Sequence, residues 1–158
     1  MRIRAAALFV IGAIAAAGAM AEDQKILSPD LDRISKQRGV VDAVARARYG
    51  TPLSGGKADL AVLQRLVDDQ AFRPDQTYEL QSLGIVLGEV LAIHPDLSWV
   101  TVQDEYGTDP ALRYKITSIL IFPLTMISKR VEDGREVEVE YLYEATLTRV
   151  RELETEAD

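Results

Sequence analysis

Apolar positions along this chain follow helical spacing, then alternate, then return to helical spacing. Leu31, Ile34, Val41 and Val44 predict a first helix opening at Ser28-Pro29-Asp30, where Ser28 can cap and Pro29 suits the first turn. Gly39 weakens its stripe, and Tyr49-Gly50-Thr51-Pro52 ends it ahead of a Gly-rich loop over Leu53 to Lys57. Leu60, Leu63 and Val67, widened by Leu66, predict a second helix within Ala58 to Ala71. A third starts at Pro74-Asp75 and must end at Pro95-Asp96. Between Leu83 and Ile93 its only charged residue is Glu89. A helix apolar all round is enclosed by other elements, so this one is predicted to be central.

The period then becomes two. Trp99 to Gln103 alternates with Val100 and Val102 on one face, and Leu112, Tyr114 and Ile116 alternate after a turn-rich connection over Asp104 to Pro110. Ile119 to Phe122 reads as a short buried strand. Such short connections predict antiparallel pairing. Pro123 opens a further helix with Leu124, Ile127 and Val131 on one face, Lys129 and Arg130 in the last turn, and Gly134 as its stop. Val139, Leu142, Thr146 and Val150 suit a last helix, with a strand over Val137 to Tyr141 as the alternative. The predicted class is α+β: helices, one of them central and buried, on a small two- or three-stranded antiparallel sheet. The expected organisation is a leader over 1–21, an N-terminal helix and Gly-rich loop over 22–57, one α+β domain over 58–153, and a frayed tail over 154–158.

The leader changes the picture most. Arg2 and Arg4 precede an apolar run from Ala5 to Ala17, and Ala19-Met20-Ala21 offers small residues to a signal peptidase. The run is shorter than the roughly 20 residues of a spanning helix. Cleavage between Ala21 and Glu22 and release as a soluble periplasmic or secreted protein are therefore expected, with no membrane anchor left behind. The arginines are not adjacent, against twin-arginine export. Of 158 residues, 47% are hydrophobic and 27% charged, which fits one globular domain. The absence of cysteine excludes disulfides, thiol nucleophiles and Cys-ligated zinc. Net charge is −7, and −9 without Arg2 and Arg4. That repels phosphate backbones, so nucleic acid is not an expected partner.

Few residues carry candidate chemistry. Gly84 and Gly88 lie one turn apart on one helix face, where each costs about 1 kcal/mol against alanine. Close approach of another element is the expected return, and a ligand against bare backbone is the alternative. Glu89 sits four residues from both Ile85 and Ile93. A desolvated carboxylate there needs a cation or donors, for which Arg113, Tyr114 and Arg130 are the candidates, or has a raised pKa suited to acid–base work. Asp104, Glu105 and Asp109 cluster around Gly107, but Tyr106 breaks the alternation of a calcium loop, so an acidic solvated turn is expected and no metal. His94 has no second histidine at helical spacing and reads as a helix-end residue. Gly55-Gly56-Lys57 lacks a phosphate-loop pattern, and Trp99 reads as core.

Leu83-Gly84, Leu87-Gly88-Glu89, Trp99-Val100, Asp104-Glu105-Tyr106-Gly107, Phe122-Pro123, and Lys129-Arg130 before Gly134 occur in this order. The ordered set resembles the bacterial family catalogued as domain of unknown function 3806, over roughly Ala58 to Leu142. The resemblance implies a small α+β domain and transfers no catalytic residue. No cofactor is expected. The residues favour a non-catalytic module that binds another protein or serves assembly, with an inhibitor- or immunity-type protein as a special case. The competing class is a small enzyme using Glu89 with Asp104 or Glu105 as acid and base.

Overall fold

The computed structural model describes residues 25–156. The leader and its cleavage point lie outside them. Within them run α1 (Ser28–Tyr49), α2 (Asp59–Asp68), α3 (Thr77–Leu91), β1 (Leu97–Asp104), β2 (Gly107–Tyr114), β3 (Leu120–Ile121), α4 (Leu124–Glu132) and α5 (Val139–Glu156). The fold is α+β, with an antiparallel sheet in the order β1-β2-β3.

The apolar run of α3 places it at the centre. Leu83 to Gly88, Val90 and Leu91 are buried, and α1, α2, α4 and α5 all pack against this helix. It stops at Leu91, before the proline signal, and Ile93 beyond it is 57% exposed. Its two glycines set the closest approaches. A Cβ on Gly84 would run into the Pro123 carbonyl oxygen and lie 2.8 Å from that of Leu124. One on Gly88 would lie 2.5 Å from Cη2 of Trp99 and 2.9 Å from Cγ of Pro123. The start of α4 and the Trp99 indole therefore occupy the space that side chains would need.

Helix α1 packs on α3, and its buried residues are Asp30, Ile34, Gln37, Val41 and Ala45. Leu31, assigned to the buried stripe by apolar spacing, is 48% exposed. Polar residues with partners take part of that stripe. Gln37 Nε2 donates to the Tyr78 carbonyl at 3.2 Å and to Ser82 Oγ at 3.3 Å. Thr101 Oγ1 donates to Asp30 Oδ2 at 2.6 Å while accepting from the Leu27 amide at 2.9 Å. Ser28 is already helical and does not cap; Leu27 holds the cap position, with Pro29 in the first turn. Gly50, at φ 64°, closes the other end.

The sheet differs from the expected one at its turns. Only Glu105 and Tyr106 connect β1 to β2, because Asp104 pairs with Gly107, whose φ of 133° suits glycine. Pro110, read as loop, is inside β2. Its missing N–H is tolerated because β3 reaches only Leu112 and Arg113, leaving Pro110 at an edge. Ile116, assigned to a strand face, is 75% exposed in the turn after β2, where Lys115 adopts φ 46°. Leu97, Trp99, Leu112, Tyr114 and Ile121 pack on the main core.

Gly134, at φ 66°, ends the turn after α4. The ambiguous stretch after it is helical from Val139, whose amide donates to Gln64 Oε1 of α2 at 2.8 Å. The expected frayed tail is helical through Glu156, and Lys115 Nζ holds Glu154 Oε1 at 2.5 Å. Among the described residues no helix is long and apolar enough to cross a membrane.

Candidate functional site

Glu89 projects from α3 toward α1, where Arg38 Nε lies 3.0 Å from its Oε2. The partner of Glu89 is thus Arg38, and not one of the expected candidates Arg113, Tyr114 and Arg130. Both side chains are partly screened, 26% exposed for Glu89 and 33% for Arg38. Burial pushes the Glu89 carboxyl above its ordinary range; Arg38 opposes that shift, and the nearby Asp59 adds to it. Asp59 is itself buried at the start of α2 and accepts from the Ser54 amide at 2.7 Å, Ser54 Oγ at 2.9 Å and the Gly55 amide at 2.9 Å. Asp42 takes the Leu53 amide at 2.8 Å and Arg46 Nε at 2.7 Å, and these bonds hold its carboxyl below the usual range. The Gly-rich loop is therefore tied down by two carboxylates, with the Arg38–Glu89 pair beside them.

The other candidates lie on separate elements. Asp104 Oδ1 accepts the Tyr106 amide at 2.8 Å within the hairpin. Glu105 and Tyr106 form its exposed tip, Tyr106 at 89% exposure. Asp109 pairs with Arg33 Nη1 at 2.8 Å. Arg113 is buried on β2, opposite Ser98 on β1 and Leu120 on β3. His94 Nδ1 accepts the Asp96 amide at 3.3 Å. Among the described residues no group of three or more histidines and carboxylates could hold a metal ion.

A different site emerges where β3, α4 and α5 meet. Ile121, Met126, Val150 and Leu153 line a recess of about 150 Å³. Lys129, Arg130, Arg135 and Arg149 also line it, and among the described residues no aspartate or glutamate does. The period of α4 puts Met126 and Arg130 one turn apart, and Arg130 Nη1 donates to the Met126 carbonyl at 2.7 Å. Burial and the like charge of Arg135 depress the Arg130 pKa, and Tyr141 opposes them. Arg135 pairs with Asp133 at 3.0 Å, and Arg149 with Glu152 at 3.3 Å and Glu156 at 3.5 Å, all at the surface. Lys129 is exposed and has no ion pair among the described residues. Sequence reading found Lys129 and Arg130 as helix-end cations and missed their union with Arg135 and Arg149. The signal available was the run of three cations within seven residues around Gly134.

A family model described as "Domain of unknown function (DUF3806)" matches residues 59–143. A 1.50 Å crystal structure of a protein from Bacteroides thetaiotaomicron VPI-5482 is similar in fold, with a TM-score of 0.72 at 18% identity over 78% of this chain. This chain spans 46% of that protein's chain. No curated protein matches.

Proposed function

This chain belongs to the family of domain of unknown function 3806, and we propose that it works as a soluble, exported, non-catalytic module that binds another protein. The observation that carries the proposal is the recess between β3, α4 and α5, which apolar side chains and four cations line together. Such a lining offers apolar burial together with charge recognition. The four cations favour an acidic counterpart. The acid–base alternative has less support, since Glu89 faces a cation and Asp104 is bonded within its own hairpin.

The test compares the parent with a variant carrying Lys129→Glu and Arg135→Glu, both at exposed positions. Each is used as bait in a periplasmic extract after matched melting curves show that it is folded. The parent should retain a specific protein that the charge-reversed variant loses. Equal recovery by both would place binding elsewhere.

A further inference from the structure

We infer that the recess takes one apolar side chain, of phenylalanine or leucine size, from a partner segment that carries carboxylates on both sides of that anchor. The inference rests on the binding-module reading and adds the chemistry of the occupant. Size comes first. A recess of about 150 Å³ matches the volume that, in an engineered cavity of another protein, holds one benzene molecule. It therefore suits one anchor residue and is too small for a long acyl tail. Buried anchors of this kind, ringed by contacts that exclude water, carry most of the affinity in protein interfaces.

Charge decides the flanks. The protein as a whole is acidic, at −7, yet four of its 18 lysines and arginines converge on this one opening. Arg130 and Arg135 lie close enough for like-charge repulsion to affect Arg130. The guanidinium fork of an arginine matches an incoming carboxylate in two-bond geometry. The surface acids now paired with Arg135 and Arg149 are held in exposed, weak bridges that a competing carboxylate can replace.

The probe is a capped pentapeptide with phenylalanine at its centre and two aspartates on each side, titrated into the folded protein and followed by backbone amide NMR shifts. Two control peptides replace the phenylalanine by alanine or the aspartates by lysines. The acidic phenylalanine peptide should shift the amides of Met126 to Arg130 and bind about tenfold more tightly than either control. Its affinity should fall as salt is raised and in Lys129→Glu and Arg130→Met proteins. Equal binding of the alanine peptide would overturn the anchor, and equal binding of the lysine peptide would overturn the charge match. No binding of the acidic peptide, while bait capture still depends on the rim charges, would overturn this occupant and leave the module standing.

Discussion

Arg38 of α1 and Glu89 of α3 form the ion pair that joins the first helix to the central one, at 3.0 Å and with both side chains largely screened from water. The glutamate is the one charged residue in an otherwise apolar run, and its partner lies 51 positions earlier in the chain. Removing the cation should leave a half-buried carboxylate uncompensated. Arg38→Met should cost about 1–2 kcal/mol at neutral pH, between the values for exposed and buried pairs. Chemical denaturation of Arg38→Met, Glu89→Gln and the double variant measures the coupling; additive losses would mean the pair contributes nothing.

The direction of the Glu89 shift adds a pH dependence. A carboxyl raised above its ordinary value by burial binds protons more readily folded than unfolded. Its contribution is fully present below the unfolded pKa, near 4.5, and is lost as pH rises through the higher folded value. The stability difference between Glu89→Gln and the parent should therefore move in favour of glutamine as pH rises from the unfolded value through the folded one, and level off beyond it. A flat difference across the same window would show that the folded protein leaves this carboxyl unshifted.

Gly84 and Gly88 should respond differently to alanine. At Gly84 the new methyl meets the backbone carbonyls of Pro123 and Leu124; at Gly88 it meets the Trp99 ring. Each should destabilise by about 1–3 kcal/mol, the usual range for overpacking. Trp99→Leu frees space only at Gly88, so it should offset part of the Gly88→Ala loss and none of the Gly84→Ala loss. Full additivity at both positions, read from thermal melts, would contradict the packing described.

The central place of α3 and the helix, strand, helix order were legible because they depend on apolar period and on Pro and Gly punctuation. Three features were not. The inner stripe of α1 hides because Asp30 and Gln37 are buried by virtue of bonds to Thr101, Tyr78 and Ser82, which no local pattern announces. Pro110 reads as loop unless the shortness of β3 is known. The basic recess needs Arg149 of α5 brought beside Lys129 and Arg130 of α4, and it is the tertiary packing of two consecutive helices, not a local pattern, that does this.

Thr101 and Asp30 provide a further check on that first feature. Asp30→Ala should leave the Thr101 hydroxyl proton without its acceptor, at about 1–3 kcal/mol, and so loosen the Thr101 Oγ1 that accepts from the Leu27 amide. Hydrogen exchange should show earlier opening of the first turns of α1 than in the parent. Unchanged exchange there would mean that this contact does not hold α1 to β1.

The exported chain should begin at Glu22, because small residues at Ala19 and Ala21 follow a short apolar run. N-terminal sequencing of protein from the periplasmic fraction checks this directly. Protein that still begins at Met1 would sink the expectation of cleavage.

Binding through the basic recess is tested most directly by photo-cross-linking in the cell. A photoreactive residue is placed at Thr125, which lines the recess, or at Tyr106, on the exposed hairpin tip. The account predicts one discrete adduct with a second protein from position 125, abolished by Lys129→Glu with Arg135→Glu, and none from position 106. An adduct from position 106 alone, or one from position 125 that survives charge reversal, would contradict it.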